Sequence, residues 1–227
     1  MGIGTLGEKT LHSAIKSYLE PDESFHEVKL GKHVADICTG SHIVEIQTAN
    51  FYALREKLAK FLTFSPVTVV YPVAAKKRLF WIDPETGEVT GGRTSPKRGE
   101  PWEILPELYR LSPFLFCPGL SFCILMAEID EYRNKDGWGK HGKFNASRAD
   151  RVPAAFLERL TVSGEEGYFK LVPRDLPEAF TAAEFEKASG FRGRRGWEAL
   201  KVLETAKAVT REGKRGNSIV YRALPRQ

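Results

Sequence analysis

The segment Val34–Gln47 reads VADICTGSHIVEIQ, and its central turn decides how the first part of the chain folds. Two strand-like runs flank Gly40 and Ser41, a pair typical of a two-residue hairpin turn. Such a turn fixes which residues face each other across the two strands: Thr39 and His42, Cys38 and Ile43, Ile37 and Val44, and Asp36 and Glu45. Facing side chains lie roughly 4.5–5.5 Å apart on one face of the sheet. The register therefore predicts that Asp36 and Glu45 form a carboxylate pair.

Two like charges that face each other destabilise a sheet, and a bound cation between them would remove that cost. Hard divalent cations take carboxylate and carbonyl oxygens as ligands. Gln47 lies two residues after Glu45 and shares its face, because side chains alternate along a strand. The apolar residues of the opposite face are expected to pack into the core: Ile37, Val44 and Ile46. The hairpin thus predicts one apolar face and one face built around Asp36 and Glu45.

The elements around the hairpin follow from hydrophobic periodicity and turn residues. Helices are expected at Gly7–Leu19 and from Asn50 to about Phe64. Four strands are expected in the same region: Phe25–Leu30, His33–Cys38, His42–Gln47 and Val67–Val73. A second hairpin, a short helix and another strand follow: Arg78–Ile82 with Glu88–Thr90, Ile104–Leu111, and Ser121–Tyr132. This order predicts an α/β fold with a mixed sheet.

The quoted segment resembles the core of the PD-(D/E)xK nuclease superfamily, in which an Asp ends one strand and Glu-x-Lys or Glu-x-Gln lies on the next. The surrounding order of helix, three strands, helix and strand is similar to the αβββαβ core of that restriction-endonuclease-like fold. Glu8 in the first helix is most similar to archaeal Holliday-junction resolvase-type endonucleases. The resemblance covers about residues 1–73 and extends towards residue 132. It implies an enzyme that hydrolyses phosphodiester bonds in DNA.

The resemblance implies a role for each matching residue. Asp36, Glu45 and the main-chain carbonyl of Ile46 would bind Mg²⁺ or Mn²⁺, and Glu8 would assist the metal or its water. Gln47 occupies a position where most members have lysine, and its neutral amide can only orient water or a phosphate oxygen. The alternative is a non-catalytic DNA-binding regulator that keeps the nuclease fold as a scaffold, and a third reading is an RNA-binding or RNA-processing protein.

Positive charge is concentrated near the C-terminus. The chain of 227 residues has 34 Lys and Arg and 29 Asp and Glu, for a net charge of +5. The segment from Lys187 to Arg222 alone contains ten basic and three acidic residues. This excess favours a polyanionic partner such as nucleic acid, and the alternative is a solvated basic face.

The C-terminal segment also has a recognisable order of elements. Thr181 and Glu184 form a capping-box pattern that predicts a short helix over Ala182–Ala188. A second helix is expected over Arg194–Ala206, with Trp197 among its packing residues, followed by two short strands around a basic turn. This order resembles a winged helix–turn–helix domain, a small α+β fold, over about residues 173–224. The resemblance implies contacts with duplex DNA through six residues: Arg192, Arg194, Arg195, Lys201, Lys214 and Arg215.

The sequence predicts three consecutive parts: a nuclease-like domain at 1–133, a polar, glycine-rich linker at 134–150 and a winged-helix domain at 151–227. Near the start of the third part, Phe156, Leu157 and Leu160 have helical spacing.

No apolar run approaches the roughly 18 residues of a membrane helix, and no secretory signal pattern is present. Three scattered cysteines do not form a disulfide framework or a zinc site. We therefore expect a cytoplasmic protein that binds double-stranded DNA and no membrane. The resemblance is compatible with a homodimer, because superfamily members often cut both strands as dimers.

Overall fold

A computed structural model describes residues 9–136 and 147–224 of the chain. Its largest feature is a mixed sheet of seven strands, and the C-terminal part has a separate sheet of three strands. Helices lie between the strands along the chain. The predicted α/β class with a mixed sheet is therefore confirmed.

The strands of the large sheet differ widely in length. They are β1 (His26–Leu30), β2 (His33–Cys38), β3 (Ile43–Ile46), β4 (Val67–Ile82), β5 (Val89–Thr94), β6 (Leu120–Asn134) and β7 (Arg148–Val162). Neighbouring strands follow the order β1-β2-β3-β4-β6-β7, and β5 pairs with β4. Strands β2 and β3 are antiparallel, whereas β3 and β4 are parallel.

Six α-helices and the three strands of the small sheet complete the described elements. The helices are α1 (Lys9–Leu19), α2 (Arg55–Phe61), α3 (Leu105–Leu108), α4 (Gly164–Gly167), α5 (Ala182–Ser189) and α6 (Arg194–Thr205). The small sheet contains β8 (Ala179–Thr181), β9 (Val209–Arg215) and β10 (Ser218–Ala223), in the order β8-β10-β9. Short 3₁₀ segments precede α2 at Phe51–Leu54 and follow α3 at Tyr109–Phe114.

The chain forms two compact units, and each combines several separate segments. The first unit comprises the described parts of Met1–His26, Pro72–Glu100 and Leu125–Arg159. The second comprises Glu27–Tyr71, Pro101–Ile124 and the described part of Leu160–Gln227. This division differs from the predicted series 1–133, 134–150 and 151–227, because the second unit contains residues from both sides of the predicted linker.

The first unit is held together by apolar burial and ion pairs. Leu11 and Ile15 of α1 are fully buried, as the helical spacing predicted. The guanidinium of Arg78 on β4 donates two hydrogen bonds of 2.6 Å to the carboxylate of Asp130 on β6. A bidentate pair of this kind fixes the geometry between two neighbouring strands.

The second unit has an apolar centre around α2 and the first four strands. Phe51, Leu58 and Phe61 are fully buried there. In its C-terminal part the predicted capping box of α5 is present: the main-chain N–H of Thr181 donates to Glu184 Oε2 at 2.6 Å, and the N–H of Glu184 donates to Thr181 Oγ1 at 3.4 Å. The C-terminal elements thus begin where the sequence predicted.

Two sequence predictions of local structure were wrong. Val67–Val73 and Arg78–Ile82 were predicted as separate strands, but they form the single strand β4. Residues 153–162, whose apolar spacing suggested a helix, belong to strand β7. Leu157 is 54% exposed in this strand, so the apolar residues at helical spacing do not form the buried face of a helix. Of the predicted linker, residues 148–150 also belong to β7, and residues 137–146 lie outside the described part of the chain.

Candidate functional site

The hairpin of β2 and β3 has the register that its turn predicted. Ile37 faces Val44 and Cys38 faces Ile43 in an antiparallel pair. The main-chain N–H of Thr39 donates to the carbonyl of His42 at 3.1 Å, which closes the turn. Counting outward by the same alternation places Asp36 and Glu45 on one face of the hairpin.

Both faces of the hairpin are covered. On the face opposite the carboxylates, Ile37 and Ile46 are buried, as expected, and Val44 is half-buried. On the carboxylate face, Ile43 is fully buried and Glu45 is only 2% exposed. Glu45 is therefore desolvated, whereas Asp36 beside it is half-buried, and electrostatic interactions of the buried carboxylate are stronger than in water.

Asp36 is held in place by the main chain of the neighbouring strand. Its Oδ2 accepts a hydrogen bond of 2.7 Å from the N–H of Ile46. This bond keeps the carboxylate of Asp36 beside Glu45 and next to the main chain of Ile46. The three predicted metal ligands are thus neighbours in the structure.

Glu45 has one paired and one unpaired carboxylate oxygen. Lys57 Nζ on α2 donates to Glu45 Oε2 at 2.5 Å. Glu45 Oε1 is buried and has no hydrogen-bond partner among the described residues. Burial first and the charge of Asp36 second raise the pKa of Glu45, the Lys57 ammonium lowers it, and the net result is a pKa of about 7. The cost of the like-charge pair is therefore offset in part by a lysine.

Gln47 is placed differently from the carboxylates. Its side-chain amide donates to the carbonyl of Ala49 and, at 3.5 Å, to the carbonyl of Asn50. Asn50, where the following helix was expected to begin, adopts a left-handed conformation with φ of 56° and makes no side-chain cap. The amide of Gln47 therefore holds the loop after β3. The other predicted catalytic residue, Glu8, lies outside the described residues.

Two charged residues at this site were missed by the sequence interpretation. Glu27 on β1 is exposed, and one of its carboxylate oxygens lies within 4.8 Å of one from Asp36. Its φ of 52° is uncommon for a non-glycine residue and is typical of a bulge or a functional constraint. Lys57 could have been found from its spacing, because it lies three residues after Leu54 and four before Phe61, on the buried side of α2.

Three carboxylates supply oxygen atoms in this region of the second unit. Glu27 and Asp36 supply carboxylate oxygens close to each other, and Glu45 supplies a buried oxygen that the protein leaves unpaired. Magnesium and calcium favour such all-oxygen sites. We define Glu27, Asp36, Glu45 and Lys57 as the carboxylate site.

The predicted DNA-binding residues lie in the C-terminal part of the second unit, and half of them are ion-paired. Arg194 pairs with Glu198, Lys201 with Glu204, and Arg215 with Glu184. The other three are exposed and form no ion pair with a residue that the structure describes: Arg192, Arg195 and Lys214.

Helix α6 presents a mixed surface. Its buried Glu198 accepts hydrogen bonds from Arg194 Nε at 2.9 Å and from Arg110 Nη2 at 3.0 Å. Trp197 was expected to pack into the core, but it is 55% exposed, and its ring makes a T-shaped contact with the ring of Tyr109 at 5.2 Å between centroids. The exposed stripe of α6 is thus both basic and aromatic. In the described parts of the chain, no helix has the length and apolar character needed to span a membrane.

Comparisons with known proteins give a family without a described activity. The model of a family described as a domain of unknown function (DUF8091) matches residues 9–163, more than half of the chain. An uncharacterized protein of Treponema pallidum (strain Nichols) is 29% identical over 227 residues, which covers 99% of this chain and 89% of that protein. No solved structure matches the chain. The carboxylate site lies inside the family match, whereas α5, α6 and the small sheet lie after it.

Proposed function

The chain belongs to the DUF8091 family, and from the geometry of its carboxylate site we propose that it is a metal-dependent DNA endonuclease. The observation that carries this proposal is the unpaired, buried Oε1 of Glu45 beside Asp36. A buried carboxylate oxygen without a donor is costly, and a functional ligand is one explanation for its retention.

The topology around the site supports the proposal. Elements α1, β1, β2, β3, α2 and β4 follow one another along the chain in the αβββαβ order of the PD-(D/E)xK nucleases. In the sheet β1, β2, β3 and β4 are neighbours in that order, and Ile43–Ile46 pairs in parallel with Val67–Val70. The element order and the mixed sheet support the proposed restriction-endonuclease-like core.

Four groups would hold a Mg²⁺ or Mn²⁺ ion: the carboxylates of Glu27, Asp36 and Glu45, and the carbonyl of Ile46. When bound, the ion would neutralise phosphate charge and lower the pKa of a water for in-line attack. The residues of the chain have separate tasks. The N–H of Ile46 orients Asp36, and burial of Glu45 keeps bulk water away from its carboxylate.

Lys57 provides the positive charge that Gln47 lacks. Its ammonium is 2.5 Å from Glu45 Oε2, and its side chain is 24% exposed, so it borders both the carboxylates and the surface. An ammonium in this position can attract a phosphate oxygen and stabilise negative charge that develops on it. Helix α2 would thus supply the ammonium group that most PD-(D/E)xK nucleases supply from a lysine at the strand position of Gln47.

The C-terminal elements would bring the protein to DNA. The order β8, α5, α6, β9 and β10, with sheet order β8-β10-β9, supports a winged helix–turn–helix arrangement. Arg192, Arg195 and Lys214 are exposed and would contact phosphates. Lys201 and Arg215 pair with the more accessible carboxylates of Glu204 and Glu184, and a phosphate can compete with exposed pairs of this kind. Arg194 pairs with the buried Glu198 but is itself 75% exposed, so its remaining donors would be open to a phosphate.

The test is cleavage of supercoiled plasmid and of linear duplex DNA by the full chain with Mg²⁺ or Mn²⁺. The proposal expects nicking that Asp36→Asn and Glu45→Gln slow by about a hundredfold or more, because a metal ligand contributes several kcal/mol to the transition state. Glu56→Gln changes an exposed carboxylate on α2 and serves as the matched control. Intact plasmid under all conditions, or equal nicking by wild type and Asp36→Asn, would overturn the proposal.

A second candidate is a DNA-binding protein without nuclease activity. The pairing of Lys57 with Glu45 favours it, because this lysine already offsets the buried negative charge. The same preparations distinguish the two in a gel-shift assay without metal. Duplex binding that is weakened by Lys214→Ala, together with an uncut plasmid, would favour this second function.

A further inference from the structure

The second unit carries a continuous surface of aromatic and arginine side chains outside the carboxylate site. It comprises Tyr52, Arg55, Tyr109, Arg110, Arg194 and Trp197, which we call the aromatic–arginine patch. Its residues come from three places in the chain: the Phe51–Leu54 and α2 region, the Tyr109–Phe114 segment, and α6. Each residue contacts another member of the patch or shares a partner with one.

A buried glutamate joins two of the arginines. Glu198 is 3% exposed and accepts hydrogen bonds from both Arg110 and Arg194. The side chains of Arg110 and Arg194 are 39% and 75% exposed. Since a guanidinium has five N–H donors, these two arginines retain donors that face solvent. Glu198 therefore fixes the positions of Arg110 and Arg194 and leaves some of their N–H groups available to a ligand.

The remaining contacts extend the patch on either side. Arg55 Nε donates to the carbonyl of Arg110 at 2.6 Å, and the Arg55 guanidinium lies 4.8 Å from the ring centre of Tyr52. On the other side, Tyr109 meets Trp197 edge-on. Tyr52 is 62% exposed and Trp197 is 55% exposed, so each offers an accessible ring face.

This combination selects a ligand that is both anionic and planar. Two guanidiniums share the carboxylate of Glu198, and a third, that of Arg55, lies over the Tyr52 ring, so the patch has three arginines and one shared acid. Single-stranded nucleic acid fits, because its unstacked bases stack on aromatic rings while its phosphates contact arginines. The bases of an intact duplex are stacked on one another and do not reach such rings.

We propose that the aromatic–arginine patch binds single-stranded DNA, so that the substrate is DNA with an unpaired strand next to a duplex. This inference rests on the proposed function for its choice of DNA and deepens it by naming the substrate class. Helix α2 carries both Arg55 of the patch and Lys57 of the carboxylate site, only two residues apart. Tyr52 lies in the 3₁₀ segment before α2, and Arg55 and Lys57 point to different sides of the helix because they are two residues apart.

The test is fluorescence anisotropy of a labelled oligo(dT) strand and of a labelled blunt hairpin duplex, with EDTA present so that no cleavage occurs. We expect Trp197→Ala and Tyr52→Ala each to weaken oligo(dT) binding about tenfold, since stacking on one base is worth roughly 1–3 kcal/mol. Duplex binding should change much less. Both rings are more than half exposed, so these variants should fold.

Two matched controls make the test specific. Phe64→Ala removes another exposed ring, 54% accessible, that has no described contact with the patch, and should leave oligo(dT) binding unchanged. Lys214→Ala should weaken duplex binding more than oligo(dT) binding. Arg194→Gln should lower the salt dependence of oligo(dT) binding, by a slope of about 0.7 for one lost phosphate contact.

The outcomes separate this inference from the proposed nuclease activity. Loss of oligo(dT) binding in Trp197→Ala and Tyr52→Ala supports the patch even if no DNA is ever cut. Unchanged binding in the double variant overturns the inference, even if the wild type nicks plasmid. Tighter binding of oligo(U) than of oligo(dT) overturns the choice of DNA, and a dimer that dissociates in Trp197→Ala would assign the patch to a second copy of the chain.

Discussion

Lys57 Nζ on α2 lies 2.5 Å from Glu45 Oε2 on β3. The helix that follows the hairpin thus places an ammonium group against the more buried of the two hairpin carboxylates. Glu45 is 2% exposed, and the side chain of Lys57 is 24% exposed. The ammonium of Lys57 offsets part of the electrostatic repulsion between the carboxylates of Asp36 and Glu45. The second oxygen of Glu45 is left unpaired among the described residues, and it is the oxygen that the proposed metal would take as a ligand.

Replacing Lys57 by Met should destabilise the protein. Removing one partner of a buried ion pair leaves an uncompensated charge and typically costs about 3–5 kcal/mol. Glu45 can take up a proton instead, since its pKa is raised to about 7, so we expect a loss near the lower end, about 3 kcal/mol. The free energy of unfolding in urea measures this loss.

The double variant Lys57→Met, Glu45→Gln should recover much of that stability, because it removes both charges together. Lys60→Met, an exposed lysine on the same helix, is the matched control and should change stability little. Equal stabilities of Lys57→Met and Lys60→Met would show that the pair contributes nothing to folding.

Mg²⁺ or Mn²⁺ should raise the melting temperature of the wild-type protein. A ligand that binds only the folded state stabilises it by about 2.7 kcal/mol at a concentration a hundred times its Kd. Asp36→Asn should abolish the increase, and Glu27→Gln should reduce it, since both carboxylates lie at the site. Glu56→Gln should retain it. A metal-induced shift of the same size in Asp36→Asn would place the bound ion elsewhere.

The hairpin could be predicted from sequence because its information is local. Gly40 and Ser41 set the turn, and the turn alone fixes which residues face each other. The capping box at Thr181 is local in the same sense, and it too was confirmed. Such features need no knowledge of the rest of the chain.

Contacts between distant segments could not be predicted in this way. The continuity of β4 through Lys76 and Lys77 depends on carboxylates of β6, where Lys77 Nζ lies 3.1 Å from Glu131 Oε2 and Lys76 Nζ lies 3.5 Å from Glu128 Oε1. The sequence analysis placed two separate strands on either side of these lysines, whereas their partners lie more than fifty residues further along the chain. Trp197 was placed in the core on apolar character alone, but it is 55% exposed.

Glu131 should make stability fall in acid. It is 4% exposed, and although burial raises its pKa, the hydrogen bonds and charges of Arg133 and Lys77 outweigh burial, so the pKa lies below its ordinary value. A carboxyl group whose pKa is lowered by folding stabilises the protein above its unfolded-state pKa, and this contribution is lost as the pH falls. Unfolding in urea at about pH 7 and about pH 3 measures the difference.

In Glu131→Gln that part of the acid dependence should disappear, so the loss of stability between the two pH values should be smaller than in the wild type. Glu88→Gln, an exposed carboxylate in the turn between β4 and β5, should keep the wild-type dependence. An identical acid dependence in Glu131→Gln and wild type would mean that the pairing with Arg133 and Lys77 does not persist in solution.

Glu198 should determine both stability and the arrangement of the aromatic–arginine patch. It is 3% exposed and is the shared acceptor of Arg110 and Arg194. Glu198→Ala would leave two arginines without their buried partner, and we expect a loss of about 3 kcal/mol in urea unfolding. Because the arginines would no longer be held together, oligo(dT) binding should weaken as well, although the variant has one negative charge fewer.

Glu204→Ala removes an acid from the same helix at a half-buried, more accessible position and provides the comparison. Binding that tightens in Glu198→Ala as much as in Glu204→Ala would show that net charge matters and the fixed geometry of the patch does not.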